Sequence, residues 1–391
     1  MWFFKAPEVI YGEEALNYLA ELQGERAFIV TDPVLHKLGF TEIVSEHLRT
    51  AGMQIGVFTE VEPEPSLQTV QRGAEMLCEF QPDWIVGLGG GSAMDVAKAM
   101  WVLYERPDVQ PDCIAPFLYL GLGKLARLIA IPTTAGTGAE ATGALVLTDL
   151  SDGRKVSVIS RETVPTLAIV DPSLSKKLPQ RITADTGLDV LVHAIEGYTC
   201  TFHNDFSDGP CLKALQLVFD YLPRAYEDGE DMEARERMAN AAAIAGIGFG
   251  NSLAGLAHAM GHAFGATFKI PHGRTVALFL PYVMEFTASL PADITRYCDL
   301  AHTLRLPEAS EDDALMAPAV VAAVRDLERR LGQPLTVAEF GIGRAEYEAK
   351  IEQMCEFAEG DGTITVNARV PERDELIRLF RYAYDGKSVD F

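Results

Sequence analysis

Two periodicities divide the chain. From residue 25 to about 172, short apolar runs alternate with amphipathic stretches. Arg26–Thr31, Gln54–Thr59, Trp84–Gly87, Leu128–Ile131, Leu145–Thr148, Lys155–Ile159 and Leu167–Val170 read as strands. Between several of them lie helical patterns, such as Leu67–Phe80, with Val70, Ala74, Leu77 and Cys78 on one face. Strand then helix, repeated, predicts a Rossmann-like α/β domain with a mostly parallel sheet. Beyond about residue 178 the strand signals fade. Helical patterns run over Leu188–Tyr198, Leu212–Tyr226, Met232–Phe264, Ala314–Leu331, Arg344–Ala358 and Glu372–Tyr384, the last with Pro371 as its first helical position. The predicted division is an α/β domain over 1–178 and an all-α domain over 179–391, joined at Pro172–Pro179.

The 391 residues carry a net charge of −23, which repels phosphate backbones and anionic lipid, so neither nucleic acid nor a membrane surface is an expected partner. No apolar run reaches the length of a bilayer span, and Met1–Pro7 lacks the basic start and long apolar stretch of a signal peptide. The six cysteines are scattered without a CxxC pair and read as reduced core thiols. A cytoplasmic protein is expected.

Three loops at strand ends have ligand-binding chemistry. Trp84–Gly87 runs into Leu88-Gly-Gly-Gly-Ser92, then into a helical pattern containing Asp95 and Lys98. Glycines between a strand and a helix let N–H groups approach a pyrophosphate, although a plain strand-to-helix turn has the same look, and the GxGxxG spacing is absent. Asp32, at the tip of the Ile29–Thr31 strand, suits either a ribose hydroxyl or the cap of a helix beginning at Pro33. Pro132-Thr-Thr-Ala-Gly-Thr-Gly-Ala-Glu140 concentrates hydroxyls and N–H groups on one loop.

The second half carries a histidine cluster. Asp189 and His193 stand at i and i+4, His258 and His262 repeat that spacing on a second helix, and His272 follows on a loop in Ile270-Pro-His-Gly273. A carboxylate and three neutral imidazoles suit zinc or ferrous iron. The small, apolar surroundings from Ala241 to Gly265 predict a buried helix, where an imidazole needs a partner. His36, His47, His203 and His302 have no such setting.

Six ordered motifs resemble the iron-containing (group III, iron-activated) alcohol dehydrogenases, essentially end to end. They are Gly89-Gly-Gly-Ser-Ala-Met-Asp-Val-Ala-Lys98, Pro132–Glu140, Asp171-Pro-Ser-Leu174, Asp189-Val-Leu-Val-His-Ala-Ile-Glu196, Gly255-Leu-Ala-His-Ala-Met-Gly-His262 and Pro271-His-Gly273. Met100–Pro107 also resembles the alcohol dehydrogenase half of bifunctional aldehyde–alcohol dehydrogenases. The resemblance implies a dehydroquinate synthase-like fold, with a dinucleotide-binding domain, a helical metal-binding domain and the substrate between them. It makes Asp189, His193, His258 and His272 the ligands of Fe2+ or Zn2+ and puts His262 in a proton path near the nicotinamide. Gly90, Gly91 and Ser92 fall to the pyrophosphate, and Thr133, Thr134, Thr137, Val146, Lys155 and Leu174 to the rest of the cofactor. Asp32 falls to the adenosine ribose, which implies NAD over NADP, since a 2′-phosphate would meet a carboxylate. Glu64-Pro65 and Asn204-Asp205 depart from the Asn-Pro pairs frequent in the family.

The implied reaction is reversible hydride transfer between NAD and a primary alcohol or aldehyde, with the metal as Lewis acid toward the alcohol oxygen. Phe249 and Ala144 are the candidate pocket residues, with Gly143 leaving room beside the latter. A homodimer or larger homo-oligomer is implied. Maleylacetate reductase, a lyase of the dehydroquinate synthase type and a metal-dependent hydrolase are the competing readings.

Overall fold

A computed structural model describes residues 3–115, 118–150, 154–176, 178–289, 294–307 and 313–391. The chain forms two compact units, Met1–Lys177 and Leu178–Phe391.

The first unit holds β1 (Glu8–Tyr11), β2 (Arg26–Val30), α1 (Pro33–Lys37), α2 (Phe40–Thr50), β3 (Gln54–Phe58), α3 (Leu67–Phe80), β4 (Trp84–Gly89) and α4 (Gly91–Glu105). After these come β5 (Arg127–Pro132), β6 (Ala144–Asp149), β7 (Arg154–Ile159) and β8 (Leu167–Val170). Six strands make one parallel sheet in the order β1-β8-β5-β4-β2-β3. β4, β5 and β8 are buried almost throughout, which is why they read as continuous apolar runs, whereas the edge strands β1 and β3 are partly exposed. β1, four residues long, is too short to have announced itself in the sequence. β6 and β7 stand apart as an antiparallel pair, so those two apolar runs do not join the parallel sheet. The chain passes from β2 outward to β3 and then crosses back to β4, so the order reverses between β2 and β4. Ligands of open α/β sheets bind outside the strand carboxyl ends at such a point.

The second unit is helical: α5 (Gln180–Thr199), α6 (Asp205–Glu227), α7 (Met232–Phe249), α8 (Leu256–Phe268), α9 (His272–Thr287), α10 (Ile294–Thr303), α11 (Asp313–Arg330), α12 (Arg344–Glu348), α13 (Ile351–Glu359) and α14 (Arg373–Asp385). Here the structure corrects four sequence readings. Met232–Phe264 is two helices, broken where Gly246, Gly248 and Gly250 weaken the last turn of α7 and Leu253 takes φ +110°. Arg344–Ala358 is likewise split, into α12 and α13. His272 lies on the first turn of α9, because Pro271 starts a helix there instead of breaking one. Pro371 precedes α14, whose start is capped by Glu372 and Glu375. Among the described residues no helix is long and apolar enough to cross a membrane.

Candidate metal centre and cofactor site

In the first unit, three loops meet at the carboxyl ends of β2, β4 and β5. The Thr133 amide donates to Gly89 O at 3.0 Å. A β-carbon added to Gly90 would lie 3.6 Å from Thr134 Oγ1, one added to Gly91 3.0 Å from Thr137 Cγ2, and one added to Gly89 3.8 Å from Asp32 Oδ2. Asp32, the glycine turn and the threonine loop are therefore one constellation at the order reversal. The Gly91 end is the start of α4, which has no side-chain cap. Its free amides and the helix dipole suit an anion.

Asp32 is also a cap: its Oδ1 accepts from Val34 N at 2.8 Å and Leu35 N at 2.9 Å. Both readings of that residue are compatible, because Oδ2 faces Gly89. The Ser92 hydroxyl donates to Pro63 O at 2.8 Å. The Val146 amide donates to Asp95 Oδ2 at 2.9 Å. Leu174 is buried in the sheet core. Lys155 lies on β7 opposite Thr148, and its side chain is outside the described residues.

The sequence reading overlooked what lies beneath this loop. Lys98, fully buried, donates to Ala144 O at 2.7 Å and stands 3.8 Å from Asp95 Oδ1. Burial raises the Asp95 carboxyl to about 6 and the Glu140 carboxyl to about 7, although the Lys98 charge opposes both shifts. Lys98 itself is lowered by burial. Gly143 owes its small size to packing: a β-carbon there would fall 1.9 Å from Ser160 O.

In the second unit, α5, α8 and α9 bring the histidine cluster together. The four side chains come from three helices, Asp189 and His193 from α5, His258 from α8 and His272 from α9, so the metal-type site exists only when these helices pack. Asp189 Oδ1 lies 3.3 Å from His272 Nε2, 3.8 Å from His258 Nε2 and 3.8 Å from His193 Nδ1. Asp189, His258 and His272 each offer a ligand atom within 4.8 Å of the others, and His193 adjoins them. A tetrahedral ion with bonds of about 2.1 Å spaces its ligands about 3.4 Å apart, so the donors fit a divalent cation. A second observation agrees. Asp189 Oδ1, His193 Nδ1 and His258 Nε2 are buried without a hydrogen-bond partner, a cost that a bound cation removes.

Burial opposes ionisation of Asp189, but His193, His272 and His258 outweigh it and hold the carboxyl well below its usual range. Burial depresses His193 to about 3 against the pull of Asp189, so this imidazole is neutral and ligand-ready at physiological pH. The ring of Phe249 stacks on His193 with centroids 3.9 Å apart. His272 is exposed while Asp189, His193 and His258 are buried, so access to the cluster is from the His272 side. His262 is partly exposed, edge-on to His258 and stacked on His272.

Two carboxylates not anticipated from the sequence support these imidazoles. Glu196 Oε2 lies 2.6 Å from His258 Nδ1, and Asp361 Oδ2 lies 2.6 Å from His262 Nδ1. Glu196 had a signal, since Asp189, His193 and Glu196 repeat on one face of α5. Asp361 had none, being 99 residues from His262. Burial depresses His262, an effect that the Asp361 bond opposes.

Comparison with known proteins agrees with this geometry. The "Iron-containing alcohol dehydrogenase" family model matches residues 6–172, and "Fe-containing alcohol dehydrogenase family, C-terminal" matches 183–384. The NADPH-dependent butanol dehydrogenase of Clostridium saccharobutylicum is 36% identical over 100% of both chains. Aldehyde-alcohol dehydrogenase 2 of Entamoeba histolytica is 37% identical over 98% of this chain, which spans only 46% of that protein, about half its length. The solved structure of a 1,3-propanediol oxidoreductase superposes with a TM-score of 0.92 at 30% identity, covering 98% of this chain and all of the other. With one model on each unit and a full-length relative besides, the chain belongs to the iron-containing alcohol dehydrogenase family and is an NAD(P)-linked oxidoreductase of that kind.

Proposed function

We propose that the protein transfers hydride reversibly between NAD and a neutral primary alcohol or its aldehyde. In this reading Fe2+ or Zn2+ is held by Asp189, His193, His258 and His272. One observation carries it: Asp189 Oδ1, buried and unpartnered, is ringed by three imidazole nitrogens at 3.3–3.8 Å. A metal there supplies Lewis acidity toward an alcohol or carbonyl oxygen, and the dinucleotide supplies the hydride chemistry.

The chain's own residues do the rest. Asp189 supplies one negative charge and the imidazoles none, so a dication keeps a net positive field. Asp361 holds His262 through Nδ1, which leaves Nε2 to pass the alcohol proton toward solvent. Phe249 backs His193, and Ala144 is assigned to the substrate side as a small residue. Arg274, the basic residue nearest the ligands in sequence, is engaged by Asp185 at 3.0 Å, which favours a neutral substrate over a carboxylate. Gly90, Gly91 and the Ser92 amide serve the pyrophosphate, with Thr133, Thr134, Thr137, Val146, Lys155 and Leu174 around the remainder. Asp32 Oδ2 favours a ribose hydroxyl and repels a 2′-phosphate, hence NAD. All six cysteines stand as free thiols, which supports a cytoplasmic setting, and we place the enzyme there as a homo-oligomer.

The test is NADH absorbance after mixing metal-stripped protein, anaerobic Fe2+ or Zn2+, NAD and C2–C6 primary alcohols, repeated with NADP. Metal-dependent NADH formation, faster than NADPH formation, is expected. Silence across the panel with either metal would sink the substrate class, and faster NADP reduction would sink the assignment of Asp32.

A further inference from the structure

Glu196 sits seven residues after Asp189 and three after His193, on the same face of α5, and is 2% exposed. Its carboxylate faces three donors. Oε2 accepts from Gly255 N at 2.8 Å and pairs with His258 Nδ1 at 2.6 Å, and Oε1 accepts from Ala257 N at 2.5 Å. Gly255 and Ala257 begin α8, which has no side-chain cap of its own. The adjacent Leu256 amide is served by Asn367 Oδ1 at 3.3 Å. Glu196 thus caps α8 from a different helix, and a carboxylate at that end is favoured by the helix dipole.

The consequence concerns the imidazole. Both Glu196 oxygens already accept from backbone amides, so the carboxylate meets the ring as an acceptor and the proton of neutral His258 sits on Nδ1. The lone pair is then on Nε2, the atom that lies buried and unpartnered 3.8 Å from Asp189 Oδ1. One side chain therefore selects the tautomer of His258, fixes its ring and ties the α8 ligand to the α5 ligands.

We infer that Glu196 is a positioning residue for the metal centre: it holds His258 as the Nδ1–H tautomer with Nε2 directed at the cation, and so sets metal affinity. This rests on the metal reading above. The test compares Glu196→Gln with His258→Ala in the full-length protein. Zn2+ dissociation constants come from competition with a chromophoric chelator, and the ligand field from the visible spectrum of saturating Co2+. Outer-shell partners of metal-bound histidines are worth about 10–100-fold in affinity. Glu196→Gln should weaken Zn2+ by that factor and change the Co2+ spectrum. His258→Ala should weaken it further.

If His258→Ala binds Zn2+ like the wild type, the metal reading itself fails. If His258→Ala loses Zn2+ while Glu196→Gln stays within threefold of the wild type, only the positioning role fails. A weakened Glu196→Gln with an unaltered Co2+ spectrum also overturns it, since that pattern is general destabilisation. Should Glu196→Gln not fold, the wild type decides. In histidine-15N-labelled, Zn2+-loaded protein, a proton on His258 Nδ1 is expected, and one on Nε2 refutes the inference.

Discussion

Gly273 is a perturbation whose size can be worked from distances. It follows His272 on the first turn of α9, where α9 crosses α5. A β-carbon there would lie 2.0 Å from Asp185 O and 3.3 Å from Asp189 Cβ. Ordinary contact begins near 3.4 Å, so Gly273→Ala must separate α9 from α5 locally by about 1.4 Å. The obstacle is backbone in the middle of a helix, which has no rotamer by which to yield. His272 rides on α9 and Asp189 on α5, with Nε2 and Oδ1 only 3.3 Å apart. Metal–ligand distances tolerate about 0.2 Å, so His272 is lost to the centre even if the fold survives. Overpacking of this kind costs about 1–3 kcal/mol of stability. The Zn2+ dissociation constant should rise by at least about 100-fold, as befits a lost ligand rather than a lost outer-shell partner. Chelator competition measures that constant, and a thermal melt of metal-free protein confirms folding. Gly343→Ala, where an added β-carbon meets nothing within 4 Å, is the control. A folded Gly273→Ala protein that binds Zn2+ within threefold of the wild type would refute the claim that this helix approach sets the ligand geometry.

Two further outcomes follow from the same structure. His262→Ala should keep its metal and lose roughly 10²–10⁴-fold in turnover, as for a proton-transfer group; loss of metal on elemental analysis would show that His262 is a ligand instead. Glu140 has its carboxyl raised by burial from 4.5 to about 7, so its contribution is complete below pH 4.5 and is lost as pH rises through 7. Between pH 5 and pH 8 the unfolding free energy of metal-free wild type should therefore fall by an amount on the order of 3 kcal/mol that Glu140→Gln does not show; parallel denaturant curves for the two proteins at the two pH values would contradict this.

What was legible in the sequence was local. Burial on both faces makes β4, β5 and β8 continuous apolar runs, so the parallel sheet and the division near residue 178 could be read from period alone. The glycine turn and the i, i+4 pairs Asp189/His193 and His258/His262 were legible for the same reason, since neighbours on a helix face are neighbours in sequence. Pairing and interruption were not. Whether β6 and β7 join the large sheet depends on hydrogen-bond partners far along the chain. The break after Phe249 depends on the balance between weak helix propensity and the capping that α8 receives from Glu196 on α5.

The sequence by itself determined which side chains are available for metal and dinucleotide chemistry and the order in which they occur. Only the tertiary structure decided how they meet. Asp189, His258 and His272 converge because α5 and α9 pass at a glycine, and because a carboxylate on α5 holds the first turn of α8. Asp361 reaches His262 across 99 residues. Such contacts are set by the close packing of whole helices, which depends on every residue between them and leaves no periodic trace along the chain.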